Sequence, residues 1–438
     1  MNDKYRPVIG LEIHIELATQ SKMFCGCNAF HFNVEPNTHC CPVCLGLPGA
    51  LPVPNKKAVD WTIMLGLALK CSIPEESKFD RKNYFYPDLP KGYQISQYDR
   101  PLCVQGKMIL KDGKEIRIRR VHLEEDTAKL IHSQDATLID FNRSGVPLLE
   151  VVTEPDFENI SQVDEFLKKL QLIVRYLGIS AADMEKGSMR LEPNISIRKE
   201  KEKELPPYKV EIKNINSFRF VRKAVEYEIS RQQEILEKGE TPTQQTMGWN
   251  EVKSITVLQR VKEEANDYRY FPEPDIPPMS FTKKEIAEIK KQIPELPDEK
   301  TKRFLKEYRL SDYNAQILVE NKDLAQYFEE VIKISGNLSP VQIANWIINK
   351  KIDIKTVNSK ELIKTIAGSK QIFEIKNEDL ELVISQILKE NQKAVEDYRK
   401  GKTAVLGFLI AKVISVTNPQ IDKRLVQKEL IRALTKNI

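Results

Sequence analysis

Two proline-dense stretches, Phe271-Pro-Glu-Pro-Asp-Ile-Pro-Pro278 and Ile293-Pro-Glu-Leu-Pro297, separate two different hydrophobic periods along the 438 residues. Proline gives no amide hydrogen to a ladder or a helix, so neither period can run through such segments. Before them, strand and helix signals alternate. Leu11-Glu-Ile-His-Ile-Glu-Leu17 has strict period two, with Leu11, Ile13, Ile15 and Leu17 on one side and Glu12, His14 and Glu16 on the other. Residues 162–177 carry a helical stripe of Val163, Phe166, Leu167, Leu170, Ile173, Val174 and Leu177, stopped by Gly178. Residues 218–236 repeat it, with Ser217 as N-cap and Gly239 just past the end. Residues 190–198 and 208–215 read as strands. Beyond the prolines, residues 323–334, 340–349, 379–389, 404–416 and 424–434 all read as amphipathic helices with short polar joints. The expected class is α+β: a mixed-sheet N-terminal domain over residues 1–293, an all-α helical domain over 294–390, and a small helical tail over 391–438.

Charge and apolar content exclude several function classes. With 68 basic and 63 acidic residues the net charge is +5, which by itself gives no claim on nucleic acid. The longest apolar stretch, residues 404–416, is interrupted by Lys412 and is too short to span a bilayer. The start, Met1-Asn-Asp-Lys-Tyr-Arg-Pro, holds no apolar segment of the kind a signal peptide needs. The expectation is a cytosolic protein, or an organellar one whose leader is not part of this sequence.

Five of the seven cysteines fall between Cys25 and Cys44. Cys25-x-Cys27 and Cys41-x-x-Cys44 supply four thiolates, enough for tetrahedral zinc in a loop spanning residues 25–44. His39 and Cys40 are further candidates, so the set of four stays open. Free thiols are one competing reading. A redox pair is another, without the βαβ context such pairs use. Four sulfurs leave no open coordination position, so the role expected of zinc is structural.

Four acidic groups point to a second kind of chemistry: Glu12 with His14, the triplet Glu124-Glu125-Asp126, Glu150, and the segment Asp140-Phe-Asn-Arg-Ser-Gly-Val-Pro that leads into Glu150. Residues two apart on a strand project to one side about 7 Å apart, so Glu12 and His14 can lean toward one ion. Buried carboxylates repel unless a cation, shared protons or water relieves them. Oxygen-rich ligation favours magnesium or manganese with substrate phosphate in the remaining positions. Each group alone also fits a wet strand edge or a solvated turn; the argument is their convergence.

Familiar nucleotide motifs are missing. Gly401-Lys402-Thr403 resembles the end of a P-loop, but Glu396 stands where the first glycine belongs and no buried strand precedes it. Arg81-Lys-Asn-Tyr-Phe-Tyr-Pro-Asp-Leu-Pro-Lys-Gly-Tyr-Gln-Ile-Ser-Gln-Tyr98 interleaves cations with aromatic rings that can hold phosphates and stack on bases.

Taken together, Gly10-Leu-Glu-Ile-His-Ile-Glu-Leu17, Lys78-Phe-Asp-Arg-Lys-Asn-Tyr-Phe-Tyr-Pro-Asp88, Tyr93-Gln-Ile-Ser-Gln97, His122-Leu-Glu-Glu-Asp126, Asp140-Phe-Asn-Arg-Ser-Gly-Val-Pro-Leu-Leu-Glu150 and Asp267-Tyr-Arg-Tyr-Phe-Pro-Glu-Pro-Asp275 resemble the B subunits of tRNA-dependent aspartyl/glutamyl-tRNA amidotransferases. The resemblance runs over essentially the whole chain and is densest in the first 280 residues. It implies a cradle-shaped kinase and transamidase domain, a helical domain and a tail that touches tRNA. The implied reaction uses ATP and magnesium to phosphorylate the side-chain carboxylate of misacylated Glu-tRNA(Gln) or Asp-tRNA(Asn). Ammonia from an amidase A subunit then displaces the phosphate, and a small C subunit completes a heterotrimer. By position, Glu12, His14, Glu125 and Glu150 match the family's metal site, with His14, Glu125 and Glu150 as the catalytic set. Glu124 and Glu211 match a second, transient ion, and with Lys82 and Tyr84 they are the expected ATP-contacting residues. Cys25, Cys27, Cys41 and Cys44 match the zinc pattern of some members.

Three departures accompany the resemblance. Glu192-Pro193 replaces an aspartate followed by a small residue, the region around Gly368-Ser-Lys-Gln-Ile-Phe373 is short, and Ser415-Val-Thr-Asn-Pro419 lacks a basic, glycine-containing stretch. Two rival functions are a zinc-stapled RNA-binding scaffold and a stand-alone carboxylate–amine ligase. The scaffold would survive loss of the carboxylates, and the ligase would need an amine site of its own.

Overall fold

The computed structural model describes residues 4–261, 268–368, 377–417 and 421–435; residues 267, 369–373 and 418–419 of the motifs above lie outside them. The chain divides into two units, Met1–Lys300 and Thr301–Ile438.

The first unit is built on one eight-stranded sheet. Its strands run in the order Ile255–Val261, Gln245–Asn250, Val210–Lys213, Met189–Lys199, Tyr5–Glu16, Pro147–Thr153, Glu115–Glu125 and Cys103–Ile109. Val210–Lys213 and Gln245–Asn250 pair in parallel, bridged by the helix Phe218–Glu237 as a crossover of that kind requires. The other neighbours are antiparallel, so the sheet is mixed as the sequence implied.

Period two gives the sheet two unlike faces. Ile9, Leu11, Ile13, Ile15, Val121, Leu123, Leu149, Val151, Leu191 and Ile195 join a core with the helices Lys56–Ala68, Ile160–Leu177 and Phe218–Glu237. Fully burying each such side chain is worth about 1.5–3 kcal/mol, and this face offsets the charged residues gathered on the other. Helix ends follow their caps: Asn159 accepts from the Gln162 amide, Ser217 from the Phe220 amide, and Gly178 closes its helix at φ 71°. Lys56–Ala68, capped by Asn55, was not evident from the stripe pattern because its apolar residues ring most of the helix.

The second unit is helical. Lys322–Ile334, Pro340–Asn349, Val405–Val416 and Lys423–Thr435 form where periodicity places them. Leu380, Ile384 and Ile387 of the helix Asn377–Glu390 share a core with Leu409, Val413, Val426 and Leu430. That helix therefore packs with the tail helices, on the far side of the division expected at residue 390. No helix among the described residues is long and apolar enough to cross a membrane.

Candidate functional site

The antiparallel register sets His14 opposite Glu150, and Glu150 opposite His122 on the next strand. Paired residues share a sheet face, so an imidazole, a carboxylate and an imidazole form one row across three strands. Glu124, two residues beyond His122, projects to the same side. Ligand atoms of His14, Glu124 and Glu150 all lie within 4.8 Å of one another. His14 Nε2 is 3.6 Å from Glu150 Oε2 and 4.0 Å from Glu124 Oε2. His122 Nε2 is 3.2 Å from Glu150 Oε2 and 3.5 Å from Glu124 Oε1, so it holds both carboxylates from behind. Ser96 Oγ and Gln94 Nε2 donate to Glu124 at 2.6 and 3.0 Å.

Burial alone would raise these carboxylates, but neighbouring cations win. Lys82 and His122 hold Glu124 down at about 2, and His122 and His14 hold Glu150 well below its ordinary value. Burial pulls His14 down, yet Glu150 outweighs it and lifts the imidazole to about 9. A site with one nitrogen and several carboxylate oxygens this close fits a divalent cation, whose charge would replace that of the imidazolium.

This grouping differs from the sequence expectation at Glu125. Neighbouring strand residues face opposite sides, so a one-residue difference moves a side chain through the sheet. Glu125 lies away from His14: it takes a 2.7 Å ion pair from Lys91 and a 2.9 Å hydrogen bond from the Ile95 amide. It borders a cavity of about 220 Å³ with Cys25, Cys44, Gly145 and Tyr93. Glu124 takes its place beside His14 and Glu150. Asp126 is bound by both terminal nitrogens of Arg190, with Arg143 Nε at 3.8 Å.

Glu12 likewise joins a different set. Oxygens of Glu12, Glu192 and Glu211 lie within 4.8 Å of one another, farther along the same face. Burial and the charges of Glu150 and Glu192 raise Glu12. Lys213 Nζ partly compensates the group, 2.8 Å from Glu192 and 3.5 Å from Glu211. Sequence reasoning gave Glu192 no place here except as a departure, and gave His122 no role. Its position two residues before Glu124 was the available signal.

Lys82 and Tyr84 border the first group. Lys82 Nζ is 3.8 Å from Glu124 Oε1 and sits 5.9 Å from the Tyr84 ring centroid and 5.2 Å from that of Tyr268. Tyr84 donates its hydroxyl to Gln94, which in turn holds Glu124. Tyr98 and Tyr270 stack with centroids 4.3 Å apart.

The cysteine loop resolves which four of six candidates come together. Sulfurs of Cys25, Cys27, Cys41 and Cys44 lie within 4.8 Å of one another. His39 instead meets the Phe30 carbonyl at 2.8 Å, and Cys40 lies against Asn142 at 3.9 Å. The segment from Asp140 to Pro147 contributes no ligand to the carboxylate groups. Asp140 and Asn142 accept from the amides of Asn37 and His39, Asn142 donates to the Glu35 carbonyl, and Ser144 donates to the Cys44 carbonyl. It is a clamp that fastens the cysteine loop to the sheet.

Comparison with known proteins agrees with this architecture. Residues 7–287 match the family described as the GatB/GatE catalytic domain, and residues 343–434 match the GatB domain. The chain is 46% identical to the B subunit of the aspartyl/glutamyl-tRNA(Asn/Gln) amidotransferase from Thermoanaerobacter sp. (strain X514), over 98% of this chain and 99% of that protein. Proteins of the same name from Caldicellulosiruptor saccharolyticus and Thermotoga maritima are 45% and 44% identical, with the same coverage. A sheet face carrying grouped carboxylates, a helical second unit and matches across both make the conclusion direct: this chain belongs to the GatB family.

Proposed function

We infer that this chain is the ATP-dependent carbon–nitrogen ligase component of a tRNA-dependent amidotransferase. It acts on the side-chain carboxylate of Glu-tRNA(Gln), Asp-tRNA(Asn) or both, according to which the cell misacylates. The observation that carries this reading is the convergence of His14, Glu124 and Glu150 beside Lys82 on one sheet face.

A carboxylate cannot expel hydroxide to an amine, so it needs a leaving group. Its oxygen attacks the γ-phosphorus of ATP, ADP departs, and an acyl phosphate forms. Ammonia then attacks the acyl carbon and phosphate leaves, giving the amide. His14, Glu124 and Glu150 would hold Mg2+, which neutralises charge on the transferring phosphoryl group. Lys82 supplies a fixed positive charge next to that phosphate, while the tyrosines around it narrow the approach. His122 fixes both carboxylates in orientation, as partners behind metal ligands do. Glu12, Glu192 and Glu211 would hold a second, transient cation in competition with Lys213. Cys25, Cys27, Cys41 and Cys44 would hold structural zinc. Glu125 keeps the Lys91 partnership and does not act as a ligand.

An amidase A subunit supplies the ammonia, and a small C subunit joins the pair. Residues 1–293 carry the chemistry, and the helices from Asn377 to Thr435, which share one core, contact tRNA. The setting is the bacterial cytoplasm or an organellar matrix. The test is reconstitution of the chain with A and C subunits, ATP, Mg2+, glutamine and Glu-tRNA(Gln). Gln-tRNA formation should depend on this chain and be lost with Glu150→Gln. Amide product without the chain, or an active Glu150→Gln enzyme, overturns the reading.

A further inference from the structure

Lys22 is fully buried, and its ammonium meets one protein acceptor, the Phe141 carbonyl at 3.2 Å. Among the described residues no carboxylate lies within ion-pairing distance of it. An ammonium has three donors, and burying its charge with a single neutral acceptor is strongly unfavourable. Some anion must therefore be close. The side chain runs along Gly145: a β-carbon built there would lie 3.6 Å from Lys22 Cδ, 3.5 Å from Cys44 Cβ and 3.9 Å from Glu125 Oε2, whose carboxylate is already paired with Lys91 at 2.7 Å. Lysine and cysteine thus converge on one bare α-carbon, which at φ 82° has the backbone glycine favours.

Four thiolates around Zn2+ carry a net charge of −2, which is costly in a loop packed against protein. We propose that Lys22 is the built-in counter-charge of a four-thiolate zinc centre at Cys25, Cys27, Cys41 and Cys44. The pairing resolves two problems at once, the lone buried ammonium and the uncompensated dianion. It also couples the loop to the sheet, since the Lys22 amide donates to the Cys27 carbonyl while its side chain reaches Phe141. The inference rests on reading the four cysteines as a zinc site.

The test uses the full chain with Lys22→Met and Lys22→Gln. Zinc affinity is read by competition with a chromophoric chelator, and thiolate count by the absorption of the Co2+-substituted protein. Both variants should bind zinc about 10–100-fold more weakly, the range for residues that support metal ligands from behind. Their Co2+ spectra should show fewer thiolates. Glutamine can still donate to the Phe141 carbonyl, so Lys22→Gln with wild-type affinity would mean that Lys22 is a neutral anchor, and the proposal would fail. Should neither variant fold, the wild-type Co2+ spectrum decides, because anything short of four thiolates also overturns it. Wild-type protein that takes up no zinc would instead sink the zinc reading itself.

Discussion

His14 and Glu150 face each other across adjacent strands with Nε2 and Oε2 3.6 Å apart, and Glu124 closes the triangle 4.0 Å from the same nitrogen. Its next neighbour, Glu125, points elsewhere and is paired with Lys91. The two glutamates should therefore fail in different ways. Glu124→Gln should remove the Mn2+ site at His14 and Glu150, seen by electron paramagnetic resonance as one fewer bound ion, and lower amide formation by about 10²–10³-fold, the scale of losing one charge-stabilising group. Glu125→Gln leaves the partly buried Lys91 ammonium without its carboxylate and should destabilise the fold by about 1–3 kcal/mol. It should still bind Mn2+. The reverse pattern would return Glu125 to the metal site.

The contrast also shows how far sequence reading reaches. Period two in residues 11–17 and the stripe in 162–177 declare their elements, because alternation and helical repeat follow from backbone geometry. The identity of the third ligand does not follow, because three consecutive acidic residues satisfy any composition argument. Only the register of Glu115–Glu125 on Pro147–Thr153 decides which of them faces His14. Asp140 and Asn142 posed the opposite problem. Polar residues next to a carboxylate look like ligands, whereas their partners are loop amides about a hundred residues away in sequence.

Proton linkage gives a second prediction. Without metal, His14 is raised to about 9, so its imidazolium contributes stability that is complete below the unfolded value of about 6.5 and fades as pH rises through 9. A metal at His14 must displace that proton. Affinity for Mn2+ should climb with pH until about 9 and then level off. Calorimetry in buffers of different ionisation enthalpy should show nearly one proton released from His14 per ion at pH 7. His14→Gln should remove that contribution; an unchanged proton count would place the metal elsewhere.

The clamp between residues 140–147 and the cysteine loop predicts a shared fate. Asn142 is fully buried and links the loop twice, to the His39 amide at 2.8 Å and the Glu35 carbonyl at 2.7 Å. Asn142→Ala should cost about 1–3 kcal/mol by leaving those groups without partners. Hydrogen exchange should accelerate around residues 35–44 in that variant, and in Cys44→Ser, while the helices from Asn377 to Thr435 keep their protection. Loss of Mn2+ binding in Asn142→Ala would mean that the segment is a ligand after all.

Lys82 provides the sharpest separation of binding from chemistry. Its ammonium lies 3.8 Å from Glu124 and over two tyrosine rings, and although burial works against the charge, Glu124 and its neighbours keep it well above the ordinary lysine value. A charge fixed before substrate arrives needs no reorganisation when phosphoryl transfer begins. Lys82→Met should leave tRNA affinity and fold intact and lower tRNA-dependent ADP formation by about 10²–10³-fold, mainly in kcat. Arginine can keep the charge but not its point-like geometry, so Lys82→Arg should recover only part of the rate. If Lys82→Met changes KM for ATP alone, the lysine is a binding contact shared equally by ground and transition states. If neither constant moves, the ammonium is there only to balance Glu124.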